Sequence, residues 1–156
     1  MNKAIGYIRV STQDQAQEGV SLESQRAKIA AWCAVNDYEL VAVFKDAGIS
    51  GATMDRREGL QAALTATTKG MALVAYSISR LARSTRDMLD IADRLERRNA
   101  DLVSLTEKID TTSAAGRMIF RMLAVMSEFE RDVIAERTRT ALAMSLIHIS
   151  EPTRPY

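Results

Sequence analysis

Ala4–Val10 (A-I-G-Y-I-R-V), followed at once by Ser11-Thr12, is a short run of apolar and β-branched residues that breaks off into polar sequence. Such a run reads as a strand. Working outward from it, Ser11–Val20 carries three glutamines and predicts a loop. Ser21 is suited to cap a helix through Val35, with Leu22, Ile29, Trp32 and Cys33 near one face and Asn36-Asp37 as its stop. Glu39–Phe44 reads as a second strand, Lys45–Arg56 as a loop with two glycines, and Glu58–Thr68 as a short helix closed by Gly70. Ala72–Ile78 is apolar enough for a strand buried on both faces. Ser84 or Thr85 caps a helix to about Asn99 with an inward stripe of Met88, Ile91, Ala92 and Leu95, and Asp101–Thr106 is a fourth strand. A final helix begins near Ser113 and runs through at least Ala143. The alternation predicts an α/β fold: a mostly parallel four- to five-stranded sheet covered by helices over residues 1–112, then a long C-terminal helix over 113–143.

The 156 residues suit one domain with its own core. Only 5% are aromatic, so that core must be aliphatic. No apolar run approaches the roughly 20 residues that cross a bilayer, and no signal sequence precedes the first strand, so a cytoplasmic protein without membrane contact is expected. The single cysteine, Cys33, cannot form an internal disulfide and leaves no Cys/His set for a metal. No metal and no cofactor is expected. The net charge of +1 is low for a nucleic-acid binder, so any basic groups that meet DNA must be concentrated locally.

In a parallel sheet the functional site lies at the carboxyl ends of the strands. Four groups of residues there, or on the last helix, can carry chemistry. Arg9 and Ser11 are two apart in an extended chain and leave the same face, placing a guanidinium near a hydroxyl. A serine needs such help to act as a nucleophile. Arg80 and Arg83, in S-R-L-A-R-S (Ser79–Ser84), sit at a strand-to-helix junction where bidentate guanidiniums and helix N–H groups suit a phosphate. D-A-G-I-S-G (Asp46–Gly51) puts a carboxylate at the same rim, followed by Arg57 at a helix start, a place the helix dipole makes unfavourable for a cation. Glu128–Thr138 carries Arg131 and Arg137 on the long helix, beside a stripe of Met118, Met122, Met126, Phe129 and Val133. That stripe reads as a packing face, with partner helices as a plausible target.

These elements, in this order over about Lys3–Leu142, resemble the serine recombinases: resolvases, invertases and larger phage-type relatives. The resemblance implies that Ser11, in Y-I-R-V-S-T, attacks a DNA phosphodiester to form a 5′-phosphoserine link. It implies Arg9, Arg80 and Arg83 as active-site arginines, and Gln25 (in S-L-E-S-Q-R) and Asp46 as further catalytic positions. Arg57, Arg131 and Arg137 would contact DNA. Double-stranded DNA and further copies of the chain, as a dimer and as a tetramer in synapsis, are the implied partners. One position departs: many members carry Asp where this chain has Ser79.

After Ala143 the pattern changes. Met144–Tyr156 (M-S-L-I-H-I-S-E-P-T-R-P-Y) resembles the translation of a transposon-end sequencing adapter, and is expected to be a non-native tail in place of a C-terminal DNA-binding domain. His148, within it, receives no catalytic role. Two other functions fit parts of the sequence. One is a phosphohydrolase using Ser11 on small phosphate esters, which would turn over a chromogenic phosphate without DNA. The other is a non-catalytic assembly module acting through its long helix. With the basic DNA-binding half missing, the chain is expected to bind DNA weakly and without site preference. A gel shift showing tight, site-specific binding would contradict this.

Overall fold

The computed structural model describes residues 1–11, 20–48 and 57–150, except for the side chains of Ser11, Gly48, Thr85, Ser127 and residues 147–150. The elements are β1 (Asn2–Ser11), α1 (Leu22–Val35), β2 (Tyr38–Gly48), α2 (Glu58–Ala66), β3 (Ala72–Ala75), α3 (Ile78–Leu81), α4 (Thr85–Arg97), β4 (Asp101–Ser104), β5 (Ile109–Asp110) and α5 (Ala114–Ser150). They form a five-stranded sheet in the order β2-β1-β3-β4-β5. β1 to β4 are parallel, and β5 runs antiparallel to β4. The α/β fold with a mostly parallel sheet and a long final helix is as the sequence predicts.

Strand alternation sorts the core onto two faces. Ala4 and Ile8 of β1 join Ile29, Cys33, Val74 and Val103 under α1. Ile5 and Tyr7 join Leu60, Leu64, Leu73, Met88, Ile91 and Leu102 under α2 and α4. The helix stops and starts follow local chemistry. Ser21 Oγ accepts from Ser24 N at the start of α1, and Ser84 Oγ accepts from Asp87 N at the start of α4.

Four boundaries differ from the sequence expectation. β2 extends to Gly48, so Asp46 lies at a strand end opposite Arg9 instead of in a loop. β3 stops at Ala75, because Ser77 caps the one-turn helix α3 by accepting from Arg80 N. Ile109–Asp110, missed as an element, adds the fifth strand. The final helix continues past Ala143 to Ser150, because Met144–Ser150 contains no Pro or Gly to stop it. The remainder of the proposed tail, 151–156, lies outside the described residues, as do the 12–19 loop and the 49–56 part of the Asp46–Gly51 motif and its following segment.

Helix α5 is about 55 Å long at 1.5 Å per residue, far longer than the body that it joins. Gly116, Phe120 and Ala124, four residues apart, form its buried face. Arg117 Nη1 donates to Thr111 O, and Arg121 pairs with Glu96 of α4 at 3.4 Å. Most of the stripe expected to pack faces away from this contact: Met118, Met122, Met126 and Phe129 are 59%, 56%, 58% and 67% exposed, and only Val133 is half-buried. Its periodicity was legible, but the docking face is set by the small residues that let the helix approach β5. No helix among the described residues is long and apolar enough to cross a membrane.

Gly116 is where that approach is tightest. A Cβ there would lie 1.7 Å from Asp110 O, a backbone atom that cannot swing aside. Gly116→Ala is expected to cost about 2–3 kcal/mol through displacement of α5. Thermal unfolding by circular dichroism should show a Tm loss of several degrees, and an unchanged Tm would contradict the close docking.

Candidate active site

The sheet order reverses between β1 and β3: the chain crosses to one side to make β2, then returns past β1 to make β3 and β4. A cleft opens at the carboxyl ends of strands flanking such a reversal. Here that position falls between the end of β1 and the Ser77–Ser84 turn, the region where the sequence places Arg9, Ser11, Arg80 and Arg83.

Arg9 follows Ile5 and Tyr7 on the α2/α4 face of β1. It is 8% exposed, and its Nη2 donates to the carbonyl of Ser79. This bond ties the end of β1 to α3, seventy residues on. β3 stops opposite Tyr7, and two residues further the peptide of Arg9 is taken over by Gln25. Gln25 Oε1 accepts from Arg9 N (3.3 Å) and its Nε2 donates to Arg9 O (3.0 Å) and Val20 O (3.3 Å). The completely buried amide thus supplies the pairing that a neighbouring strand would give. Ser11 is the last residue of β1, paired with Gly48, and its side chain lies outside the described set.

Arg80 is the largest fully buried side chain, at 1% exposure, and sits in α3 behind its Ser77 cap. Arg83 is exposed, between α3 and α4. Ser79, at the position that departs from the family pattern, carries the carbonyl that Arg9 reaches, and its hydroxyl lies 2.8 Å from Ser77 Oγ. Glu107, after β4, accepts from Ile78 N with both oxygens (3.2 and 3.3 Å) and from Ser104 Oγ. It therefore caps α3.

Arg57 reaches the same turn from the other side. Its Nη1 donates to Leu81 O (3.4 Å), and its Nη1 and Nη2 form a bidentate pair with Asp87 (2.5 and 2.8 Å). Burial alone would raise the Asp87 carboxyl, but the Arg57 guanidinium and the Arg83 N–H overcome this and hold it below its ordinary value. The same hydrogen bond raises Arg57. The Ser79–Arg83 segment is thus gripped by Arg9 at one end and Arg57 at the other. Asp87 escaped the sequence reading because it is one of many acids in helix first turns. The available signal was its spacing of four residues from Arg83.

Asp46 has a positional setting. Its Oδ1 accepts from Gly59 N (2.8 Å) and its Oδ2 from Leu60 N (3.0 Å) and Tyr7 Oη (2.7 Å). Arg57, the N-cap residue of α2, makes no side-chain cap, so Asp46 caps that helix from β2. Burial, with the Asp46 contact, pushes the Tyr7 phenol up, keeping it the donor of that bond. Arg131 and Arg137 are not part of the cluster contacts. Both are exposed on α5, and Arg131 lines the groove between α4 and α5 with Leu95, Phe120 and Ala124. Removing the Asp46 charge should release α2: Asp46→Asn is expected to lower the unfolding free energy by about 1–3 kcal/mol in urea denaturation, and Tyr7→Phe by about 1 kcal/mol. Equal stability of Asp46→Asn and wild type would refute the capping role.

Comparison with known proteins bears on the fold and the family. The DNA-invertase hin of Salmonella typhimurium is 39% identical over 139 residues, 89% of this chain. The chain spans 66% of that relative's length, and 65% of the serine recombinase gin of Escherichia phage Mu, just under two thirds in both. Among solved structures, the N-terminal catalytic domain of TP901-1 integrase superposes with a TM-score of 0.67 at 33% identity, over 84% of this chain and 98% of that one. A resolvase family site-specific recombinase from Streptococcus pneumoniae gives 0.69 at 26% identity, over 94% and 99%. Residues 4–145 match the model described as "Resolvase, N terminal domain", which shows that the chain belongs to the resolvase family.

Proposed function

We propose that this chain carries the catalytic unit of a site-specific DNA recombinase, with Ser11 as the nucleophile. The observation that carries the reading is the double grip on the Ser79–Arg83 segment. Arg9 and Arg57, far apart in sequence, both hydrogen-bond to it, and Ser11 follows Arg9 by two residues. Guanidiniums from three separate parts of the chain are thereby gathered beside the end of β1.

In this reading Ser11 Oγ attacks the phosphorus of a DNA phosphodiester. A P–O bond to serine forms, the P–O3′ bond breaks, and the 3′ oxygen leaves as a hydroxyl with the proton given up at serine. The phosphoserine ester keeps the energy of the broken bond, so attack by a new 3′-hydroxyl reseals the DNA. Arg9, Arg80 and Arg83 stabilise the charge that builds on the phosphoryl oxygens, and preset cations do so without reorganisation. Arg57 meets the adjoining DNA phosphate. Gln25 and Asp46 serve indirectly, Gln25 by holding the Arg9 peptide and Asp46 by anchoring α2. Arg131 and Arg137, exposed on α5, contact DNA flanking the break. The exposed Met118, Met122, Met126 and Phe129 receive a further copy of the chain, giving a dimer and, in synapsis, a tetramer.

The test is to trap the intermediate. The intact protein is incubated with end-labelled duplex DNA and quenched in detergent. A protein–DNA adduct on the 5′ phosphate is expected, absent in Ser11→Ala and formed about 10²–10³ times more slowly in Arg80→Ala. Turnover of a chromogenic phosphate with no adduct would replace this reading with the phosphohydrolase.

A further inference from the structure

Asp87 lies outside all the motif positions from which the site was read, yet three donors meet its carboxylate. They are Arg57 Nη1 and Nη2, at 2.5 and 2.8 Å, and the Arg83 main-chain N–H at 3.0 Å. The paired side chains are only 13% and 20% exposed. A covered bidentate pair holds one geometry, whereas an exposed ion pair samples many. Asp87 is itself fixed in the first turn of α4, where its N–H donates to Ser84 Oγ at 3.2 Å.

The backbone gives an independent sign of constraint. Arg57 has φ of +42°, in the left-handed region that an arginine occupies only at a cost. Capping of α2 does not explain it, since Asp46 caps that helix and Arg57 makes no side-chain cap. What this conformation achieves is to bring the guanidinium to Asp87 and Leu81 O.

We propose that Asp87 is a positioning residue: it locks Arg57 onto the Arg80–Arg83 turn, so that Arg57 and Arg83 meet DNA phosphate as a preset pair. Asp87 acts through these two residues without touching DNA. The proposal rests on the reading of the chain as a DNA-phosphate-binding catalytic unit. Its physical content lies in a sign. Asp87 is an acid beside a cation cluster, so simple electrostatics expects its neutralisation to tighten DNA binding. Positioning expects the opposite.

The whole chain, ¹⁵N-labelled, is titrated with a 12-bp DNA duplex of arbitrary sequence and followed by NMR, which reads weak affinities, with Tm measured in parallel. Asp87→Asn keeps the side-chain shape and is expected to weaken duplex binding about five- to tenfold, the size of one lost charge-assisted contact. Unchanged or tighter binding by folded Asp87→Asn overturns the proposal. Asp87→Glu keeps the charge but displaces the guanidinium, and serves if Asp87→Asn does not fold; it too is expected to bind more weakly, and wild-type affinity overturns the proposal. The charge-swapped double variant, Arg57→Asp with Asp87→Arg, restores an ion pair. It is expected to regain Tm without regaining affinity, and regained affinity would show that the pair is only structural. Wild-type protein that shows no duplex-induced shifts at Arg80–Arg83 would overturn the DNA-binding reading itself. That outcome is separable from wild-type binding which the Asp87 variants leave untouched.

Discussion

Arginines gathered at one end of a small sheet repel one another, and the chain must hold them there without neutralising them all. Two means are used on one turn. Arg9 donates to the carbonyl of Ser79, which orients the guanidinium without removing its charge. Arg57 reaches the same turn through a bidentate pair with Asp87 and a longer bond to Leu81 O. The position of that turn follows from β3 ending at Ala75, while its neighbour β1 continues to Ser11. The unequal strand lengths leave the end of β1 without a strand neighbour on that side, where Gln25 and the one-turn helix α3 take its place.

Among the described residues, three acids near this rim have specific partners. Asp46 caps α2, Glu107 caps α3, and Asp87 binds Arg57 and the Arg83 N–H. Each carboxylate thus meets helix N–H groups or a specific arginine. A chain with a net charge of only +1 thus still gathers Arg9, Arg57, Arg80 and Arg83 about one turn. The balance of charge is even across the chain, but its placement is not.

Helix α5 presents two faces. Gly116, Phe120 and Ala124 settle against β5 and α4, and Met118, Met122, Met126 and Phe129 remain exposed. Large apolar side chains left in water on a helix of this length are uncommon in a protein that works alone. Their exposure connects the fold to the assembly proposed for it.

Much of this was legible in the sequence. The strand-helix alternation, the Ser21 and Ser84 caps, the inward stripe of α4 and the rim location of Arg9, Arg80 and Arg83 all follow from short-range pattern, since period, capping and strand ends are written within a few neighbouring residues. What the sequence alone could not show are relations between residues far apart. Gln25 reads as a polar helix residue until Arg9 has lost its strand neighbour. Asp46 reads as a loop acid until α2 starts without a cap of its own. Asp87 reads as an ordinary first-turn acid until Arg57 arrives in a left-handed backbone. The methionine stripe reads as a packing face, but Gly116 decides which side of α5 approaches a carbonyl of its own chain. Local sequence determined which elements form and where their chemistry-bearing residues stand. Tertiary structure decided what each polar group is bonded to, because a buried donor or acceptor must find its partner wherever the packed chain provides one.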